Sequence, residues 1–410
     1  MKNLFEKKDL EKIINEYKKH NVSIDLAQRI YTSRLIGSNP NLVLHGGGNT
    51  SVKSIKKDTD GEEYEIIYVK GSGSDLSNIE PKGFPAVKMK PLKRLMKKKF
   101  ITDEEMVSFI RKNLMDHTAP NPSVETLVHA IIKEKFVDHT HSNSILEITN
   151  RPDGLRLSKQ LFGKNFIIIP YVMPGYLLAK KVFDMYKQNN NIHGLILFRH
   201  GIFTFADTAK ESYDRMIKTV NLAEKFLKNQ SKKKTFKIKN KKLAMSASEI
   251  APVLKSYLSL KNDYILNFRS NKNLLSLINK KDIKNSLKKG VVTPDHVIRT
   301  KPEPLILNLD KCRNLDEANQ ILKRKFLIYK NNYIKYFDKN KNKKLQILDT
   351  VPQIILIQNM GMFSLGRNLR EAIINGDVSE MSINVISKIE EKSNFKSISK
   401  KDIFDVEYWS

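Results

Sequence analysis

Along the first 20 residues the apolar positions Leu4, Leu10, Ile13, Ile14 and Tyr17 recur with a helical period. They predict an amphipathic helix. A second helix is predicted over "SIDLAQRIYTSRLIG", with Ser23 or Asp25 as its cap. The pattern then shortens. "NLVLHGGGNTSVK" reads as strand, glycine turn, strand, and "YEIIYVKGSGSDLSNI" as strand, Gly/Ser turn, helix start. Helical spacing returns in "TDEEMVSFIRKNLMD", with Thr102 capping, and in "SVETLVHAIIKEKF", with Ser123 capping. A strand containing "VDHTH" follows. After it come a buried strand "FIIIPYV", a strand pair "GLILFRHGIFTF" and a long amphipathic helix "TAKESYDRMIKTVNLAEKFLKN". Strands alternating with helices make this an α/β protein.

The second half repeats part of that grammar. "GLILFRHGIFTFADTAKE" (194–211) aligns without gaps to "IILIQNMGMFSLGRNLRE" (354–371) when Gly201 is set on Gly361. Glu211 then meets Glu371, and His200 falls on Met360. Upstream, "DHTH" (138–141) resembles "DHVI" (295–298). Two strand–Gly–helix units look alike in many α/β folds, so the alignment is compatible with a degenerate repeat and with coincidence. Between the halves runs the basic stretch "QSKKKTFKIKNKKL", read as a link. The division is therefore a first domain over 1–235, a basic linker over 236–244 and a second α/β domain over 245–410.

Composition narrows the setting. The chain has 73 Lys and Arg against 44 Asp and Glu, a net charge of +29. The charge is mostly Lys, dispersed and mixed with Asn, without the spacing of a zinc knuckle, an RNA-binding strand or a helix-turn-helix. Nucleic acid is not the expected partner. A single Cys312 excludes an intrachain disulfide and suits a reducing compartment. No apolar leader and no apolar run of membrane-spanning length occurs, so a cytoplasmic protein without a membrane partner is expected.

Chemistry concentrates at His139 and His141. In a strand they point the same way, close enough for two imidazoles to reach one metal ion, although such a pair also arises by chance. His200, at the end of an apolar strand, is the candidate third ligand. Three imidazoles leave coordination positions open, as at a catalytic zinc. Glu125, early in a helix 14 residues before His139, reads either as a proton-transfer group beside that metal or as a first-turn carboxylate complementing the helix dipole. "HGGGNTS" and "KGSGSD" are tight turns whose amides also suit an anion.

In their order, a G-N-T-S loop, a Gly/Ser loop, P-S-x-E opening a helix, H-x-H and a lone H-G after a strand resemble the class II aldolase/adducin family. "VKGSGSDL", "APNPSVETLVHA", "FVDHTHSN", "PYVMPGY", "HGIFTF", "TPDHVIRTK" and "DIFDVEYWS" look most like the aldolase part of bifunctional rhamnulose-1-phosphate aldolase/alcohol dehydrogenases. The resemblance spans essentially the whole chain. It implies a three-layer α/β/α first domain with a mixed, mostly antiparallel sheet. The second domain would be a worn copy without metal ligands. It implies a divalent metal, zinc first, on His139, His141 and His200, with Glu125 moving a proton. Substrate phosphate would meet Gly48, Asn49, Ser72, Gly73 and Ser123, although Val124 stands where simpler members carry a second hydroxyl. The implied reaction is cleavage of a ketose 1-phosphate of the rhamnulose type to dihydroxyacetone phosphate and an aldehyde through an enediolate. Alternatives are an epimerase, dehydratase or decarboxylase at the same metal, or a non-enzymatic adducin-like interaction module. A homo-oligomer is implied. With no Rossmann fingerprint in the chain, the dehydrogenase half is either encoded separately, as a short-chain dehydrogenase, or lost.

Overall fold

The computed structural model describes residues 1–189, 191–230, 241–258, 263–280, 282–342 and 345–409. Residues 236–240 of the expected linker lie outside the described residues. The chain divides into two units, Met1–Thr149 with Asp153–Gln230, and Asn150–Pro152 with Ser231–Ser410.

The first unit is built on seven strands: β1 (Asn49–Lys57), β2 (Glu63–Val69), β3 (Ala86–Lys88), β4 (Phe136–Thr140), β5 (Phe166–Ile169), β6 (Gly194–Leu197) and β7 (Gly201–Ala206). Their order is β3-β2-β1-β4-β7-β6-β5. All neighbours are antiparallel except β5 and β6, which run parallel. Strand side chains alternate between faces, and both faces here are apolar. Leu195, Leu197, Phe203 and Phe205 pack with Leu127, Leu178 and Val182 of one helical layer. Ile196 and Ile202 pack with Ile30, Met216 and Val220 of the other. Each such side chain taken from water contributes about 1.5–3 kcal/mol, which is why these strands read as unbroken apolar runs. The result is the expected three-layer α/β/α arrangement.

Two predicted elements differ. "NLVL" is not a strand. Leu42 and Val43 are buried, but their N–H groups both donate to Asn39 O (2.9 and 3.3 Å), and Gly47 N donates to Leu44 O (2.9 Å), so local turns use the hydrogen bonds a strand needs. The helix expected to run from Ser123 covers only Thr126–Ile131, with Glu125 itself as N-cap. It stops because Ile132 is extended (φ −66°, ψ 130°) and Lys133 N–H donates to the Tyr186 hydroxyl instead of continuing the ladder.

The second unit carries β8 (Ile265–Arg269), β9 (Leu305–Leu307), β10 (Ile354–Ile357) and β11 (Gly361–Gly366) in the order β8-β11-β10-β9. This is the order β4-β7-β6-β5 of the first unit, with the same parallel pair at one end. The likeness extends to single atoms at a constant offset. Thr204 Oγ1 donates to Ser212 O, and Ser364 Oγ to Ala372 O. Arg215 donates to Phe205 O, and Asn375 to Leu365 O. Arg199 and Asn359 share a left-handed φ, 59° and 61°.

The strand register moves the upstream part of the repeat. His139 faces Phe203 across β4 and β7, and Phe268 faces Phe363 across β8 and β11. The counterpart of "DHTH" is therefore the end of β8, not "DHVI", which lies on the helix His296–Thr300. In the second unit Phe268, Ser270 and Met360 occupy the three histidine positions. His296 Nδ1 meets Ser382 Oγ, Asp295 accepts from Thr293 Oγ1, and Lys301 Nζ donates to Asp349 O. Among the described residues no helix is long and apolar enough to cross a membrane.

Candidate active site

The site forms where β4 ends between β1 and β7. His139 lies on β4 and His141 just beyond it, so both project to one face. His200 sits in the tight turn joining β6 and β7, where its N–H donates to Leu197 O. Gly201 lets that turn approach. A Cβ there would lie 2.3 Å from Thr140 O and 3.0 Å from the His139 ring. The three histidines are buried, and one ring nitrogen from each lies within 4.8 Å of the others.

The tautomer of His139 follows from its partner. Its Nδ1 is 3.1 Å from Ile202 O, which only accepts, so Nδ1 carries the proton and Nε2 presents a lone pair. That Nε2 is 3.1 Å from His141 Nε2. Two nitrogens bound at about 2.0–2.1 Å to one tetrahedral zinc stand about 3.3 Å apart. The donor set therefore fits a divalent cation held by His139, His141 and His200. Changing His200 to Ala is expected to weaken zinc binding by more than the roughly 10–100-fold that losing an outer partner costs. Calorimetric titration of the metal into both proteins measures it, and equal affinity would remove His200 from the ligand set.

Glu125 completes the cluster. Its Oε2 is 3.3 Å from His139 Nε2 and its Oε1 3.7 Å from His200 Nε2. Asn49 fixes the carboxylate. Asn49 pairs with His139 in the β1–β4 register, and its Nδ2 donates to Glu125 Oε2 (2.8 Å) and to Ser123 Oγ (3.1 Å). Ser123 Oγ in turn accepts from Glu125 N–H (3.3 Å). The neighbouring Gly48 is required for the turn into β1. Its φ is +60°, and a Cβ would lie 2.6 Å from His139 O.

Of the residues expected to meet phosphate, Gly48 and Asn49 thus lie against His139, and Ser123 reaches the cluster through Asn49 and Glu125. Ser72 and Gly73 lie on an exposed loop tied to the segment before Glu125 by Ser72 N–H to Asn121 O (2.7 Å) and by a bridge between Gly71 and Pro122. Sequence reasoning passed over Lys70. It is 3% exposed, its Nζ donates to Gly46 O (2.6 Å), and it stands between the two glycine loops. It was legible as the one cation inside "VKGSGSD".

Behind β4, Asp138 points to the opposite face. Its carboxylate pairs with Arg29 at 2.5 Å and accepts from Ser212 Oγ (2.5 Å). Both charged partners are fully buried. Burial pushes the Asp138 carboxyl up against the pull of Arg29, and it lowers the Arg29 guanidinium.

The chain is similar to known class II aldolase proteins. Residues 27–227 match the model of the class II aldolase and adducin N-terminal domain, and residues 245–410 match that of the second domain of class II aldolases. The "uncharacterized oxidoreductase YuxG" of Bacillus subtilis (strain 168) is 29% identical over 388 residues, 93% of this chain and 56% of that protein. The chain therefore spans about half the length of the curated relative it matches. The N-terminal class II aldolase domain of a conserved protein from Thermoplasma acidophilum is 42% identical. It covers 50% of this chain and 93% of its own, with a TM-score of 0.47. An L-fuculose-1-phosphate aldolase from Thermus thermophilus is 15% identical, covering 50% and 96%, with a TM-score of 0.32.

Proposed function

Because the chain belongs to the class II aldolase/adducin family, we propose that it is a metal-dependent aldolase cleaving a ketose 1-phosphate of the rhamnulose type. The products would be dihydroxyacetone phosphate and an aldehyde. The observation that carries this reading is the convergence of His139, His141 and His200 on one point beside the tethered carboxylate of Glu125. An interaction module has no use for three buried imidazoles and a buried carboxylate facing one another.

A divalent cation on the three histidines, zinc in the first instance, supplies Lewis-acid stabilisation of the negative charge that bond cleavage leaves on the substrate's oxygens. The protein's own groups do the rest. Glu125 Oε2 is occupied by the Asn49 amide, so Oε1, which accepts no hydrogen bond, is the atom that carries the proton to or from the substrate carbon. The loops at Gly48 and Gly73, with the Ser72 hydroxyl, would take the phosphate, and buried Lys70 places a positive charge between those loops. Asn49 and Ser123 serve Glu125 first in this arrangement. We extend the proposal to a cytoplasmic homo-oligomer whose aldehyde product is consumed by a short-chain dehydrogenase.

The test is aldehyde release from a panel of ketose 1-phosphates with and without a chelator. Release that stops on chelation and returns with metal supports the aldolase. Conversion of the sugars without carbon–carbon cleavage, followed by NMR, would replace it with an epimerase, dehydratase or decarboxylase. No reaction in folded, metal-loaded protein would leave the interaction module.

A further inference from the structure

His129 lies one helical turn after Glu125 and is fully buried against Phe203, their ring centroids 5.3 Å apart. No ligand role reaches it. Its ring nitrogens nevertheless close a chain that ends on the carboxylate. Nε2 meets Asn49 Oδ1, and Nδ1 is 2.7 Å from Ser51 Oγ. Asn49 and Ser51 lie two apart on β1, so both side chains reach the same face.

Donor and acceptor chemistry fixes every proton in this chain. Glu125 Oε2 only accepts, so the nitrogen of the Asn49 amide must face it and the oxygen must face His129. That oxygen only accepts, so His129 Nε2 carries the proton. Burial, with the nearby positive charge of Arg29, holds His129 well below its ordinary pKa, so the ring is neutral. Nδ1 of a neutral ring with Nε2–H must accept, and the Ser51 hydroxyl donates to it.

We propose that His129 is a positioning residue for the reaction. Through its Nε2–H it fixes which way the Asn49 amide points, and so holds Glu125 with Oε2 occupied and Oε1 turned to the histidine cluster. The relay runs Ser51 to His129 to Asn49 to Glu125. Without the Nε2–H donor, the Asn49 amide loses the partner that sets its orientation, and the carboxylate is free to turn. The inference rests on the aldolase reading for its kinetic consequence but not for its structural one.

Two variants separate donor chemistry from bulk. His129→Leu removes both nitrogens, whereas His129→Gln keeps an N–H where Nε2 stood. His129→Leu is expected to lower kcat by about tenfold to a hundredfold, the cost of a misplaced catalytic group, with KM and bound metal little changed. His129→Gln is expected to recover most of the loss. A fall of equal size in both variants would make the role one of packing and overturn the proposal, as would full kcat in His129→Leu. If His129→Leu does not fold, His129→Gln against Ser51→Ala makes the same comparison, because Ser51→Ala removes the group that sets the tautomer.

A second readout needs no substrate. In metal-free protein carrying 15N-labelled histidine, NMR should show His129 as a neutral Nε2–H ring that does not titrate between pH 5 and pH 8. The Asn49 side-chain amide protons should exchange slowly in the parent and quickly in His129→Leu. If the parent cleaves no sugar yet these signals appear, the aldolase reading fails and the relay stands. If it cleaves sugar and His129 is found as the other tautomer, the relay fails alone.

Discussion

Replacing Glu125 with Gln is expected to cut aldehyde release by about a hundred- to ten-thousandfold while the protein keeps its metal. The change is close to isosteric. Asn49 Nδ2 can still donate to the amide oxygen that replaces Oε2, so the loop from Ser123 to Thr126 has no reason to move. What disappears is an oxygen able to take and return a proton beside His200. Metal content by atomic absorption, measured on the same sample as turnover, separates the two effects. Full activity with full metal would take Glu125 out of the reaction. Loss of metal together with activity would make it a ligand.

The largest effect on stability is expected one strand face away. Arg29 and Asp138 form an ion pair with no exposure to solvent, and the guanidinium also donates to Thr32 Oγ1, Ser33 Oγ and Ser51 O. Taking away one partner strands the other charge in a medium that cannot solvate it, a cost of about 3–5 kcal/mol. Arg29→Met should therefore move the denaturant midpoint strongly with little change of slope. Arg29→Met combined with Asp138→Leu should recover much of the loss, because an apolar pair of similar volume needs no solvation. A single substitution costing under about 1 kcal/mol would show that water reaches the pair. Ser51 connects this pair to the active site, since its carbonyl accepts from Arg29 and its hydroxyl meets His129. Part of the damage in Arg29→Met should accordingly appear as lower turnover in molecules that remain folded.

The metal cluster was legible because its geometry is local. A histidine pair at strand spacing and a third histidine before a glycine between two apolar runs need no long-range information to be noticed. The class of fold was legible for the same reason. What the sequence hid depends on register. That Asn49 stands opposite His139 follows from how β1 meets β4, and that pairing brings the Asn49 amide to Glu125. His129 has no partner motif in the sequence, because its neighbours there are apolar. The one available signal was its spacing of four from Glu125, a single turn of helix. Lys70 was hidden by composition, one lysine among very many. "DHVI" drew the eye away from "ILNFR" because it repeats two letters of "DHTH". The strand that occupies that position keeps only its hydrogen-bonding register and has changed its residues.

The second unit also separates what the scaffold requires from what the chemistry requires. Where His139 stacks on Phe203 with centroids 4.1 Å apart, the second unit places Phe268 against Phe363 at 4.7 Å. Where His200 stands, Met360 is buried in the apolar core. A ring on a ring holds this strand crossing in both places, and in one of them no histidine ligand stands at the crossing. The fold in the first unit thus closes around its histidines without depending on the binding energy of the ion, unlike small domains that are unfolded until metal arrives. Metal-stripped protein should stay folded, with an unchanged far-UV circular dichroism spectrum, and the strength of the metal bonds is left for holding and discharging substrate.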